Sequence, residues 1–70
     1  MPQMIPVQSS NLSSVGYDPA TSTLYIAFHS GRTYAYYGVP AGVHKALMLA
    51  PSKGRYHSAY IKYAFPYCRL

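Results

Sequence analysis

Lys53, Arg55 and Lys62 flank Tyr56 and Tyr60 within ten residues. Cationic side chains can follow a phosphate backbone, and exposed phenol rings can stack on bases. Such stacking is worth about 1–3 kcal/mol per base. Arg32 and Arg69 lie outside this stretch and belong to the same cationic set. The chemistry these residues offer is recognition of a polyanion. Tyr56, Tyr60 and Tyr63 also stand at helical spacing, so a second reading makes them the inner stripe of a terminal helix, half-buried with their hydroxyls in water. The bases would then form a solvated rim that still meets phosphate.

Catalytic chemistry is poorly supplied. A two-carboxylate acid–base mechanism needs a second side-chain acid, and Asp18 is the one acidic residue in the sequence. Asp18 precedes Pro19, which reads as a turn. Cys68 has no local signature of a Cys–His dyad and reads as a spare thiol near the chain end. His29, His44 and His57 share no metal-ligand spacing. They read as a turn residue, a residue on the exposed side of a helix and a loop residue. Ser9-Ser10 and Ser13-Ser14 lack a nucleophile turn. Lys53-Gly54 lacks the long Gly-rich spacing of a phosphate loop. The expectation is a non-enzymatic protein without metal or cofactor.

Six Lys and Arg against one acid give the 70-residue chain a formal net charge of +5 and a pI near 9.6. Only 10% of residues are charged, so the imbalance comes from missing acids more than from abundant bases. Five of the six bases fall in the last 26 residues. A cationic C-terminal third suits RNA, and it suits an acidic protein surface equally. The length predicts one domain over residues 1–70 with a core at about 7–63. The single Cys68 and the lack of an N-terminal signal pattern predict a soluble, cytoplasmic setting.

These side chains must be positioned by short elements. Residues 1–11 read as an irregular lead-in, extended around Ile5 to Val7. Leu12 to Tyr17 reads as a strand, followed by the turn Asp18-Pro19-Ala20-Thr21. Thr23 to Phe28 alternates, with Leu24, Ile26 and Phe28 on one face. Arg32 to Tyr37 is a third strand, completing a three-stranded antiparallel meander. The hairpin loop before it decides where the tyrosines point. A two-residue Ser30-Gly31 loop would turn Tyr34 and Tyr36 away from the aliphatic face. A three-residue loop, His29-Ser30-Gly31, pairs Ile26 with Tyr34 and Leu24 with Tyr36, which puts both rings on that face. The three-residue loop is favoured, because it requires Gly at its last position, whereas the shorter loop prefers Asn-Gly or Asp-Gly. Pro40 can open a helix that runs to Ala50, with Val43, Ala46, Leu47 and Ala50 on one stripe and Pro51 as the stop. Residues 55–65 read as a second short helix or turn ended by Pro66. The fold class is α+β.

The ordered pieces resemble a known small family. Val7-Gln8-Ser9-Ser10-Asn11-Leu12, Gly16-Tyr17-Asp18, Gly31-x-x-Tyr34-x-Tyr36-x-Gly38-Val39-Pro40 and Ala50-Pro51-Ser52-Lys53-Gly54-x-Tyr56 resemble, in order, segments of the KTSC domain, named for the C-terminus of some lysyl-tRNA synthetases. The likeness runs from about Val7 to Tyr63. It implies a domain found as a tail on tRNA synthetases and as short standalone chains, including in bacteriophage genomes, for which RNA binding has been suggested. No catalytic residues come with it. The leading expectation is a module for RNA or single-stranded nucleic acid that uses Lys53, Arg55, Tyr56, Tyr60, Lys62, Arg32 and Arg69. The alternative is a small phage-type regulator that docks on a protein such as RNA polymerase.

Overall fold

The structure, a computed structural model, describes residues 2–70. Met1, the start of the expected lead-in, lies outside the described residues. Five strands form one antiparallel sheet in sequential order: β1 (Ile5–Pro6), β2 (Leu12–Asp18), β3 (Thr23–Phe28), β4 (Thr33–Tyr36) and β5 (Tyr67–Arg69). Two helices, α1 (Ala41–Leu49) and α2 (Lys53–Tyr56), and a π-helical turn, His57–Ile61, lie between β4 and β5. The fold is α+β, as the sequence predicts, but the three-stranded meander undercounts the sheet. β1 and β5 are two- and three-residue edge strands, too short to show an alternating pattern. β1 contains Pro6, which an edge tolerates because a proline has no N–H to donate. β5 satisfies the free edge of β4 through long-range pairing, and Leu70 N–H donates to Thr33 O at 2.8 Å.

The turns form where their residues dictate. Asp18 Oδ1 accepts the Ala20 amide at 3.0 Å, so the lone acid closes the β2–β3 turn. His29, Ser30 and Gly31 form the three-residue loop between β3 and β4, with Gly31 at φ +93°. The register follows: Leu24 faces Tyr36 and Ile26 faces Tyr34. On the opposite face of the sheet, residues 2–4 cross over Gly16. A Cβ there would lie 2.6 Å from Met4 Sδ and 3.1 Å from Gln3 O, so any larger residue would push the Met4 side chain aside and press on the Gln3 backbone.

The core is one cluster on the helix-bearing face: Leu12, Val15, Leu24, Ile26, Tyr36, Val39, Leu47 and Ile61. Leu47 of α1 is buried and Val43 and Met48 pack beside it. Pro40 caps α1 at its N-terminus, and Ala50 ends it before Pro51. Tyr17 ties α1 and the segment leading into it to the sheet. Its hydroxyl donates to Val39 O at 2.6 Å, and its ring stacks on His44 with centroids 4.7 Å apart. His44 is therefore half-buried against an aromatic ring and does not stand on the exposed side of the helix.

Candidate nucleic-acid interface

Residues opposite one another in an antiparallel pair share a face. One row across the sheet is Val15, Ile26, Tyr34, Arg69; the next is Tyr17, Leu24, Tyr36, Tyr67. The aliphatic ends of the rows belong to the buried core. The tyrosine ends border a cleft of about 320 Å³ between the π-helical turn and the β3–β5 end of the sheet. Phe28, Tyr34, Tyr36 and Tyr67 line its sheet side; His57, Ser58, Lys62 and Tyr63 line its helical side. The rings contact one another in edge-on or tilted geometry: Tyr34 to Phe28 at 5.7 Å, Tyr34 to Tyr67 at 5.7 Å and Tyr36 to Tyr67 at 5.8 Å. Edge-on and offset contacts are the arrangements the aromatic quadrupole favours.

The deepest part of the cleft is polar. Tyr36 is 3% exposed and His57 is 5% exposed. The Tyr36 hydroxyl and His57 Nε2 share a hydrogen bond of 2.7 Å. His57 Nδ1 is buried with no hydrogen-bond partner among the described residues. Protonating the ring would leave a charged, buried N–H without an acceptor. Burial, with Lys62 adding to it, holds the His57 pKa below the usual histidine value. Burial, with the neighbouring Tyr34 and Tyr67 phenols adding to it, pushes Tyr36 up to about 12. At neutral pH the pair is thus a neutral phenol and a neutral imidazole. His57 is not the loop residue read from the sequence. Its ring bridges the sheet and the helical layer, 21 residues along the chain from its partner. A histidine this distant from its tyrosine gives no local signal; what the sequence does carry is the spacing His57, Ile61, Phe65, a stripe of inward or partly buried residues every fourth position.

That stripe displaces the tyrosine stripe by one residue. The i+5 hydrogen bond Lys62 N–H to His57 O, at 2.8 Å, marks the π-helical turn that carries His57 and Ile61 inward. Tyr56 lies half-buried against the core, while Tyr60 is 61% exposed and Tyr63 is 87% exposed. The inner-stripe reading therefore holds for Tyr56 and fails for the other two.

The candidate cations separate into three groups. Arg32 and Lys62 line the aromatic cleft from opposite sides, with Lys62 Nζ 5.4 Å from the centre of the Tyr63 ring. Arg55 lines a shallower groove that shares Asn11 and Ser58 with the cleft. Lys53 lines a third depression that shares Ser10, Ser52 and Gly54 with that groove. Lys53 Nζ also donates to Ala50 O at 3.1 Å and so caps the end of α1. Through these shared residues the three depressions neighbour one another in order, from Lys53 past Arg55 to the cleft between Arg32 and Lys62. The opposite wall of the groove is the segment Gln8–Asn11. Ser9 Oγ accepts the Asn11 and Leu12 amides, and His29 Nε2–H donates to Ser9 O at 2.9 Å, which fixes that wall to the β3–β4 loop. Ser52 N-caps α2 on the near side by accepting the Arg55 amide. Tyr56 and Tyr60 pair with each other, ring centroids 4.8 Å apart, and are not among the residues lining the groove. Arg69 is exposed on the β5 edge, opposite Tyr34 in register. Phe28, Tyr34, Tyr63 and Tyr67 complete the site. Of these, Tyr34 was reachable from the sequence through the hairpin register.

A small α+β domain whose helical layer leaves part of one sheet face as a cation-rimmed aromatic cleft is the class these observations define. Comparison with known proteins narrows it. Residues 8–65 match the family described as the KTSC domain, and the chain belongs to that family. It is 44% identical over 62 residues to a protein from Tsukamurella paurometabola, a match covering 89% of this chain and 92% of that one. It is 41% identical over 63 residues to a lysine–tRNA ligase from Nostoc sp., covering 90% of this chain but 11% of the ligase. The crystal structure of a KTSC domain protein from Yersinia pestis superposes with a TM-score of 0.92 at 43% identity, covering 97% of this chain and 96% of that one. Among the described residues, no helix is long and apolar enough to cross a membrane.

Proposed function

We propose that this chain is a non-enzymatic binding module for single-stranded nucleic acid, with RNA as the favoured partner. The observation that carries this reading is the series of neighbouring depressions that forms a groove. It runs past Lys53 and Arg55 and opens into an aromatic cleft flanked by Arg32 and Lys62. Cations spaced along a groove follow a phosphate backbone, and accessible rings at its end receive bases. With one acidic side chain in the sequence, already engaged in a turn, Arg32, Arg55 and Lys62 are left for an external anion. The likeness to lysine–tRNA ligases, which act on an RNA, supports RNA over DNA. Tyr60 and Arg69 extend the cationic, aromatic surface beyond the groove, and Tyr56 and Lys53 hold its supporting helices.

The experiment is titration of labelled RNA oligonucleotides with the purified chain across a salt series. Affinity that falls steeply with salt supports the reading; absence of binding at low salt, or binding indifferent to salt, removes it. A stoichiometric acidic protein retained after nuclease treatment, with no affinity for the oligonucleotides, assigns the same surface to the protein-docking regulator instead.

A further inference from the structure

We infer that the cleft between the π-helical turn and the β4–β5 half of the sheet is a receptacle for one unstacked base of the bound strand. The inference rests on the nucleic-acid reading above and adds where along the groove a base is held. The groove changes character along its length. Around Arg55 its lining is serine, asparagine, glycine and Ala59, which offer no ring to stack on. At the cleft the lining becomes aromatic, and the two cations Arg32 and Lys62 stand at its rim. A base needs an apolar face to lie on and a phosphate needs a nearby cation; this is the one stretch of the groove that supplies both. A volume of about 320 Å³ falls at the small end of ligand pockets, a size suited to one base with its sugar and too small for a stack of several.

The walls of the receptacle are accessible in a graded way. Tyr67 is 59% exposed, Tyr34 is half-buried and Tyr36 is buried beneath them. Tyr67 and Tyr34 are therefore the rings a base can cover, while Tyr36 and His57 form a polar floor. The Tyr36 hydroxyl and His57 Nε2 satisfy each other, so a planar face can cover them without breaking that bond, while the buried His57 Nδ1 stays without a partner among the described residues. Tyr63 projects over the helical rim, with the Lys62 ammonium beside its ring. Base in the cleft and phosphate at Lys62 and Arg32 thus use the exposed ring and both cations at this end of the groove.

The test uses single-stranded RNA oligonucleotides carrying 2-aminopurine at one position, moved along the strand, with the full chain and its Tyr67→Leu and Tyr67→Phe variants. The expected result is strong fluorescence quenching at one position with the wild type and Tyr67→Phe. Tyr67→Leu should relieve the quenching and weaken binding about 5- to 150-fold. Circular dichroism establishes that each variant is folded. If Tyr67→Leu fails to fold, a titration of the unaltered protein with adenosine monophosphate takes its place. Ring-proton shifts at Tyr34 and Tyr67 in the NMR spectrum support the receptacle, and their absence overturns it. Oligonucleotide binding with quenching unaffected by Tyr67→Leu overturns the receptacle and leaves the groove reading intact. Failure of every oligonucleotide to bind overturns both.

Discussion

Two halves of one sheet face differ in what covers them. Val15, Ile26, Tyr17 and Leu24 occupy the half that packs under Val39, Leu47 and Ile61, and their rows continue as Tyr34, Arg69, Tyr36 and Tyr67. Apart from Tyr17, the covered half is aliphatic, because stability there comes from removing apolar area from water. The open half is aromatic and cationic, because tyrosine can meet both the core and the solvent. Tyr36 marks the boundary, its ring in the core and its hydroxyl on His57. The difference teaches that stability and recognition are divided across a single surface. Substitutions in the two halves should therefore move different measurements.

The largest effect belongs to the covered half. Leu47→Ala and Ile61→Ala remove fully buried side chains and should each cost about 2–5 kcal/mol in denaturant unfolding. In a chain of this length that approaches the whole stability, so partial unfolding at room temperature is the expected outcome. Losses below about 1 kcal/mol would mean that the covered half is not the core. At the boundary, Tyr36→Phe keeps the ring and deletes the hydroxyl, leaving His57 Nε2 buried without its partner. The expected cost is about 1–3 kcal/mol, read from the shift in denaturation midpoint. In the open half, Tyr67→Leu should change stability by less than about 1 kcal/mol and weaken RNA binding by about 1–3 kcal/mol. Equal losses of stability and binding would dissolve the distinction between the halves.

Titration sharpens the boundary further. His57 and His44 both have pKa values held below 6.5 by burial. The unfolded chain takes up protons at its ordinary histidine pKa, before the folded chain does. Stability is thus full above pH 6.5, falls as the pH drops below it and levels off once the folded histidines also protonate. Tyr36 acts in the opposite direction. Its pKa rises from 10.0 to about 12, so the unfolded chain loses its proton first and stability falls as the pH climbs through that interval. Denaturation midpoints measured across pH should trace both flanks. A flat acid flank would contradict the neutral, buried His57.

Much of the scaffold was legible in the sequence, and the reasons are local. β3 alternates cleanly, Gly31 fixes the bulged loop, and that loop places Tyr34 and Tyr36 on the aliphatic face. Pro40 and Pro51 bracket α1. What escaped depends on distant parts of the chain. β5 exists because β4 has an edge to pair, and no pattern in Tyr67-Cys68-Arg69 announces it. The partnership of His57 with Tyr36 and the one-residue displacement of the helical stripe are tertiary facts. For the same reason, the cations were visible as a set, but their division among the cleft, the groove, the α1 cap and the β5 edge was not.

The most direct test of the account is the salt dependence of RNA binding by the wild type beside an Arg32→Ala, Lys62→Ala double variant. For single strands, each phosphate contact contributes about 0.7 to the slope of log affinity against log salt. The account predicts a steep slope for the wild type and one shallower by about 1.4 for the double variant, at unchanged stability. Identical slopes for the two proteins would contradict it.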